Sequence, residues 1–388
     1  MRDDSGTPGK HGTLDPTTAR SLASRTERQA FLPGLTLARR FYAEAVRPLL
    51  AGLPHSAARI GPGSEVLGYD TPRSADHEWG PRLQLFVRDD DPAAHDVLSA
   101  HLAENLPKTF LGHSTHFALT GTDGDRDIRV MTPADGPVHH RVEITTLPAW
   151  LTRTLGFDPT RGVTPADWLT TPTQRLAEAT AGEVFHDGLD TLVPAREALS
   201  WYPPDIWRHV LAAQWQRVAQ EEAFVGRSGE AGDELGSAVT AARLVRDLMR
   251  LCLLMDRRYP PYGKWLGTAF SRTPLGARLT PVLRATLTAS DWPIREAQLA
   301  HAYEEIATAH NALGLTDPLD PTTRPYHSRP FRVLRADRFA EALTATITDP
   351  TIRALPLLGA IDQYIDNADA LNMPKAQLST ALNRAFED

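Results

Sequence analysis

The sequence predicts an α+β protein in which a part with short strands precedes a mostly helical part. Short β-prone runs, bounded by Gly, Pro and Asp, occur within the first 150 residues. From about residue 148 onward, apolar residues recur instead at the three- and four-residue spacing of amphipathic helices. The length of 388 residues fits two domains or three.

Composition narrows the class of protein further. A hydrophobic content of 41% is sufficient for ordinary globular cores. The net charge of −7 argues against nucleic acid as the main partner, because binding to phosphate backbones usually needs a basic surface. The single cysteine, Cys252, fits a reducing compartment, and no apolar run reaches the length of a membrane span. The polar N-terminus does not resemble a secretory signal, so we expect a cytoplasmic protein without a membrane partner.

Residues 30–150 should form the part that contains the sheet, after a disordered or loosely attached arm at 1–29 that is rich in polar residues. Helical spacing runs from Leu35 to Leu53, where Gly52 and Pro54 end the pattern. Asp91-Pro92 begins a second helix that extends to about residue 105, because Asp caps a helix and Pro fits its first turn. The predicted strands cover 56–60, 82–87, 115–119, 127–131 and 141–146.

Residues 151–388 should form the helical part, with a break near the Pro-rich stretch 314–332 if this part divides in two. Residues 227–233 are polar and glycine-rich, which predicts a loop. The predicted helices cover 203–218, 234–259, 293–313, 336–347, 352–366 and 375–386.

The stretch from Gly63 to Val87 carries the first concentration of chemistry. Gly63-Ser64 is a small-residue turn of the kind that can surround a phosphate with backbone N–H groups. Asp76 and Glu78 alternate, and residues at i and i+2 of an extended strand point to the same face. Two carboxylates aimed at one point repel each other unless a cation lies between them, and hard oxygen ligands suit Mg²⁺ or Mn²⁺. The sequence therefore predicts a phosphate-binding turn followed by a metal-binding pair.

The combination of Gly63, Ser64, Asp76 and Glu78 resembles the motif of the nucleotidyltransferase superfamily, which includes DNA polymerase β and the kanamycin and lincosamide nucleotidyltransferases. Antibiotic-type members often read G-S-x-A-R-G, whereas this chain reads GSEVLG, so the glycines and the serine match and the arginine does not. From about Phe31 to near the C-terminus, the chain also looks like an uncharacterised bacterial family of that superfamily. The resemblance implies a catalytic domain with a small mixed sheet at 30–150 and a helical domain that binds substrate and nucleotide at 151–388.

The resemblance further implies transfer of a nucleoside monophosphate from a nucleoside triphosphate to a hydroxyl group, with Mg²⁺ or Mn²⁺ as cofactor. Asp76 and Glu78 would hold the cations, and a third acid on a later strand would complete the metal site or act as general base. Glu143 is the candidate for that third acid, with Asp127 as the alternative. We expect an unidentified small-molecule acceptor. A protein or RNA acceptor, as in AMPylating enzymes, and a catalytically inactive nucleotide-binding protein on the same fold are the alternatives.

A second concentration of chemistry lies between Arg246 and Phe270, where cations alternate with aromatic residues. One interpretation is a cationic wall that faces a triphosphate, with aromatic rings that stack on a base or sugar. The alternative is a solvated helix face whose arginines pair with Asp247 or Asp256. Arg246, Arg250 and Arg257 have the spacing of one helical face. The predicted nucleotide-binding residues of this segment are Arg250, Arg257, Tyr262 and Lys264.

Overall fold

The chain combines a four-stranded mixed sheet with a large helical assembly, which confirms the predicted α+β class. A computed structural model describes residues 31–50, 52–88, 91–123 and 126–372. The predicted arm 1–29 and the predicted helix 375–386 lie outside the described residues. No helix in the described ranges has both the length and the apolar character needed to cross a membrane.

The strands follow in chain order. They are β1 His55–Arg59, β2 Arg82–Val87, β3 Thr109–Phe110, β4 His113–Ser114, β5 Phe117–Asp123, β6 Arg126–Met131, β7 Arg141–Thr145, β8 Glu183–Asp187, β9 Arg324–Tyr326 and β10 Arg329–Val333. The helices are α1 Gly34–Phe41, α2 Pro92–Asn105, α3 Leu147–Leu155, α4 Pro165–Thr170, α5 Thr173–Thr180, α6 Leu192–Ala198, α7 Pro204–Glu221, α8 Phe224–Glu230, α9 Glu234–Met255, α10 Gly263–Ser271, α11 Pro274–Thr288, α12 Trp292–Asn311, α13 Asp337–Ala345, α14 Pro350–Arg353, α15 Ile361–Tyr364 and α16 Ala368–Asn372.

The sheet has the strand order β7-β2-β1-β8. Strands β2 and β7 pair in parallel, whereas β1 pairs with both β2 and β8 in antiparallel orientation. Strand β8 comes from the helical part of the sequence, beyond residue 150, and the sequence analysis did not predict it. The sheet is therefore completed only when the helical part has folded back onto β1.

Each face of the sheet packs against a different hydrophobic core, because side chains alternate between the two faces of a strand. On one face, Ala57, Leu83 and Leu85 join a core with residues of α1 and α2. On the other face, Ala58 and Phe86 join the large core of the helical part. The sheet thus lies between the N-terminal helices and the helical assembly.

Helices α7 and α9 form the centre of the helical assembly. The indole N–H of Trp207 on α7 donates to the carbonyl of Leu254 on α9 at 2.9 Å. Trp215 on α7 stacks on Phe339 of α13, with ring centroids 4.6 Å apart. These buried aromatic contacts fix the C-terminal helices against the centre of the assembly.

Several predicted elements differ from the observed ones. The predicted loop 227–233 is helical up to Glu230, because α8 packs directly on α9 and α12. The predicted helix 352–366 is reduced to the short helices α14 and α15, because Pro356 and Gly359 interrupt it. The Pro-rich stretch 314–332 contains strand β9 and most of β10, which form a hairpin. The first predicted helix is observed as α1, which ends at Phe41. The chain then continues as a π-helical turn at Tyr42–Val46 and a 3₁₀ turn at Arg47–Leu50.

Strand β8 is attached to β1 through a close approach at Gly182. A Cβ atom at this position would lie 2.1 Å from the carbonyl oxygen of Arg59, and φ is +73°. The N–H of Gly182 donates to the carbonyl of Val66 at 3.0 Å, within the turn that follows β1. Only glycine fits both the left-handed backbone and the contact with Arg59.

We expect Gly182→Ala to lower the free energy of unfolding by about 3 kcal/mol, because it adds a backbone clash to a strained φ. Gly232 is a matched control, since it has φ +84° and a Cβ atom there would meet no atom of the described residues within 4 Å. Gly232→Ala should therefore lower the free energy of unfolding by only about 1 kcal/mol, which is the cost of placing alanine in a left-handed backbone conformation. Urea unfolding of both variants measures the difference, and equal losses would contradict the close approach.

Candidate active site

The turn that carries Gly63 and Ser64 follows β1 directly. The N–H of Val66 donates to the carbonyl of Gly63 at 3.1 Å, and the N–H of Tyr69 donates to the carbonyl of Ser64 at 2.8 Å. Gly63 has φ +150°, and a Cβ atom there would lie within 2.7 Å of side-chain atoms of Arg59, Glu65 and Arg82. Glycine is required here because a cluster of charged side chains packs directly against the turn.

That cluster is a buried ion triad of Arg59, Glu65 and Arg82. Oε1 of Glu65 accepts hydrogen bonds from Arg59 at 2.9 and 2.7 Å and from Arg82 at 3.0 and 2.7 Å. Arg59 also donates to the carbonyls of Ile60 and Pro62, which closes the turn. Arg59 and Glu65 are 2% and 3% exposed, so these charges depend on one another.

Burial and neighbouring charges shift the pKa of Arg59 and that of Glu65. Burial, followed by the neighbouring charge of Arg82, lowers the pKa of Arg59 to about 10. Burial by itself would raise the pKa of Glu65, but the guanidiniums of Arg59 and Arg82 outweigh it and hold the pKa at about 2. Oε2 of Glu65 is buried without a hydrogen-bond partner among the described residues, so both arginines hold this carboxylate through Oε1 alone.

Asp76 and Glu78 do not lie on a strand, which corrects the sequence prediction. Pro72–Asp76 forms a short helical turn, closed by reciprocal contacts of Thr71 and Ser74. Glu78 has φ +47°, and strand β2 begins only at Arg82. The prediction failed because the helical turn and the Trp79-Gly80-Pro81 corner interrupt the extended backbone before β2.

The two acids consequently have different surroundings. Oδ1 of Asp76 lies 2.8 Å from Nδ1 of His77, and more than half of the Asp76 side chain is exposed. Oε2 of Glu78 accepts a hydrogen bond from Nη2 of Arg141 at 2.5 Å, and Oε1 accepts one from the backbone N–H of Arg129 at 3.0 Å. Arg82 lies 3.8 Å from Glu78 and so connects this acid to the ion triad.

Glu143 lies on β7 directly opposite Gln84 of β2. Its Oε2 accepts a hydrogen bond from the amide of Gln84 at 3.2 Å, and its Oε1 accepts one from Arg153 on α3. The alternative third acid, Asp127, lies within β6, and its side chain is outside the described part of the structure. Glu78 thus pairs with an arginine of β7, whereas Glu143 of the same strand pairs with Gln84 of β2 and Arg153 of α3.

The carboxylates do not fit a metal ion in this arrangement. Both oxygens of Glu78 and both of Glu143 accept hydrogen bonds from N–H donors. Within the described ranges, no group of three or more His, Cys, Asp or Glu side chains could hold a metal ion. The metal-binding roles predicted for Asp76, Glu78 and Glu143 therefore remain predictions, as does the cofactor Mg²⁺.

Helix α10 reaches the Gly63–Tyr69 turn from the helical part. The rings of Trp265 and Tyr69 lie 5.2 Å apart, and Nζ of Lys264 lies 4.9 Å from the Trp265 ring. Arg272 covers the ring of Tyr69 at 4.6 Å and donates to the carbonyl of Gly68 at 2.9 Å. Of the predicted cations, the exposed Lys264 is thus brought beside the residues that contact the motif turn.

The other predicted nucleotide-binding residues have packing contacts. The N–H of Tyr262 donates to Gln174 on α5 at 3.1 Å. Arg250 donates to the carbonyl of Asp362 at 2.8 Å and lines a cavity of about 10 Å³, which is too small for a phosphate. Arg257 lies beyond the end of α9 and covers the Trp207 ring at 4.5 Å, so it does not share a helical face with Arg250.

Sequence reasoning missed most of the residues that connect the site. Their signal was weak, because each is a single residue outside any recognised motif, and most are charged. Such residues are rarely buried unless they are paired, which is the property that could have identified them. The missed residues are Arg59, Glu65, Tyr69, Arg82, Arg141, Arg153 and Arg272.

A protein family and a solved structure match this chain, and both matches are limited. A family profile described as a domain of unknown function (DUF4037) matches residues 168–266, about a quarter of the chain. This range contains β8 and the start of α10, but not the motif acids. No curated protein matches the chain. A solved structure of a nucleotidyltransferase-like protein from Exiguobacterium sibiricum is 11% identical and covers 80% of this chain and 89% of its own, with a TM-score of 0.29. A TM-score this low does not establish a shared fold.

We expect Glu65→Gln to destabilise the protein by about 3 kcal/mol at pH 7, because it leaves two guanidiniums without their buried counter-ion. The control Glu44→Gln removes a carboxylate that pairs with Arg40 on the surface, and it should change stability little. Urea unfolding of both variants measures the effect.

The same triad predicts a pH dependence. The pKa of Glu65 is held at about 2, below its ordinary value of 4.5. The stabilisation from Glu65 is therefore fully present above about pH 4.5 and is lost as the pH falls toward 2. This acid-dependent loss should be absent from Glu65→Gln, and a parallel pH profile of variant and wild type would contradict the assignment.

Proposed function

We propose that the protein is a nucleotidyltransferase that moves a nucleoside monophosphate from a nucleoside triphosphate to a hydroxyl group of a small molecule. The main support is the convergence of motif residues that are far apart in sequence. Arg82 joins Glu65 of the Gly63–Tyr69 turn to Glu78, and Arg141 joins Glu78 to the strand that carries Glu143. The turn, the second motif acid and a later-strand acid are parts of the sequence motif, whereas the first motif acid, Asp76, contacts His77 and stands outside these contacts.

The chemistry of the proposed transfer is a displacement at the α-phosphorus. The acceptor oxygen forms a bond to phosphorus, the bond to the pyrophosphate leaving group breaks, and the hydroxyl proton passes to a base. Glu143, whose side chain is 38% exposed, is the candidate base. The arginines of β2 and β7 and the exposed Lys264 would balance the negative charge of the leaving group. Because the carboxylates do not fit a metal ion as arranged, we assign no step to Mg²⁺.

A small-molecule acceptor is favoured by the acidic net charge of −7, which disfavours long polyanions. A second candidate is a nucleotide-binding protein without turnover. It is supported by the hydrogen bonds that arginines make to both Glu78 and Glu143, since acids neutralised in this way are unsuited to catalysis as they stand.

The proposed function predicts stabilisation by one nucleoside triphosphate. ATP, GTP, CTP and UTP are each added with and without Mg²⁺, and the melting temperature is measured for wild type and Asp76→Asn. At 100 times its Kd, a ligand stabilises the folded state by about 2.7 kcal/mol, which should raise the melting temperature by a few degrees. We expect one nucleoside triphosphate to raise the melting temperature of wild type, and the arms without Mg²⁺ and with Asp76→Asn measure whether the predicted metal role of Asp76 contributes to that shift.

The control for that experiment is Asp96→Asn. Asp96 is exposed on α2, and α2 packs on the face of the sheet opposite the motif acid Glu143. It should retain the wild-type shift. Release of pyrophosphate then distinguishes the two candidates, since a binding protein without turnover would show the shift but release none. Absence of any nucleotide-dependent shift would refute both.

A further inference from the structure

The hairpin of β9 and β10 is a basic region in an acidic protein. Residues 320–338 contain five arginines and two aspartates, a net charge of +3, whereas the whole chain has −7. Strand β10 packs on α12 and α8, so the hairpin belongs to the surface of the helical part. Its strands are joined by the exposed turn His327-Ser328. The charge of the chain is therefore unevenly distributed, and this exposed element has the opposite sign to the whole.

Three arginines of this region have no acidic partner. Arg329 and Arg332 belong to β10, and Arg227 belongs to the neighbouring helix α8. All three are exposed, and none forms an ion pair with an acid of the described residues. Two other arginines of the region do pair with neighbouring aspartates. The unpaired guanidiniums are thus available to an anion from solvent.

An exposed aromatic ring lies beside these arginines. Phe224 on α8 is 43% exposed, and the guanidinium of Arg227 lies 5.4 Å from the centre of its ring. The same guanidinium lies 5.9 Å from the ring of Tyr326 on β9, so it connects Phe224 to the hairpin. Aromatic rings among cationic side chains are the surfaces on which unpaired nucleobases stack.

The acidic net charge does not exclude a polyanion at this place. At physiological salt the Debye length is about 8 Å, so exposed charges farther away than that are largely screened. A phosphate beside Arg329 and Arg332 therefore responds to the nearby arginines and not to the total of −7. Total charge argues against nucleic acid only where the charges are evenly spread.

We infer that Phe224, Arg227, Arg329 and Arg332 form a binding surface for single-stranded RNA. The guanidiniums bind backbone phosphates through paired N–H donors, and the Phe224 ring stacks on a base. Stacking requires an unpaired base, which RNA presents in its loops and ends. An acidic peptide or an anionic membrane would supply negative charge but no base for the ring. The inference does not depend on the proposed function, because this surface contains none of the motif residues.

The experiment measures binding of a fluorescein-labelled oligouridine of about 20 nucleotides, which is long enough to span such a surface. Fluorescence anisotropy is recorded over a range of salt concentrations for wild type, Arg329→Gln and Phe224→Ala. The control for lost charge is Arg278→Gln, which removes an arginine of 61% exposure on α11. The control for a lost ring is Tyr364→Ala, since Tyr364 is 50% exposed on α15.

For wild type, we expect the logarithm of the association constant to fall with the logarithm of salt concentration with a slope of about −2, as for three phosphates on a single strand. Arg329→Gln should reduce the steepness by about 0.7 and weaken binding about fivefold at 0.1 M salt. Phe224→Ala should weaken binding about tenfold with an unchanged slope, because stacking releases no counter-ion. Both controls should match wild type.

Three further probes distinguish the partner. They are the RNA duplex of the same length, polyglutamate, and vesicles that contain phosphatidylserine. We expect each to bind more weakly than the oligouridine, and equal or tighter binding of any of them would overturn the assignment to single-stranded RNA.

Absence of oligouridine binding, or equal losses in Arg329→Gln and Arg278→Gln, would also overturn the inference. Melting temperatures show whether the variants are folded. If Phe224→Ala is not folded, Arg329→Gln decides the test, because the exposed Arg329 side chain forms no ion pair with the described residues. The titrations contain no nucleoside triphosphate, so a failure here leaves the proposed transferase standing, and a transferase that fails leaves this surface standing.

Discussion

The buried triad of Arg59, Glu65 and Arg82 is the interaction on which the rest of the site depends. It joins the end of β1, the Gly63–Tyr69 turn and the start of β2 through one carboxylate oxygen. The two guanidiniums repel each other and are tolerated side by side because both pair with the Glu65 carboxylate, so moving the turn would leave a buried ion without its partner. The triad therefore determines the backbone position of Gly63 and the direction in which Arg82 meets Glu78.

The helical part holds this turn from a second side. Gly182, at the entry to β8, lies against the carbonyl of Arg59, and the N–H of Gly61 donates to the carbonyl of Glu178 on α5 at 2.8 Å. On the outer side, Arg272 and Trp265 contact Tyr69 and its neighbour. A strand and two helices from beyond residue 150 thus surround the motif turn, which makes the sheet and the helical assembly mutually dependent.

Charge neutralisation connects structure and function at the motif acids. Carboxylates beside guanidiniums are stable without another cation, and Glu78 before β2 and Glu143 on β7 each have such an arginine partner. All four carboxylate oxygens of Glu78 and Glu143 thus accept hydrogen bonds from N–H donors.

The sequence by itself determined the fold class and most elements of the first part, since apolar spacing and local turn chemistry act over a few residues. Strand β2 and helix α2 were predicted with their observed bounds, and β7 differed by one residue. The sequence also singled out Gly63, Glu78 and Glu143. Only the tertiary structure decided that β8 completes the sheet and that arginines accompany both acids. Those features depend on contacts between residues far apart in sequence, which local patterns do not encode.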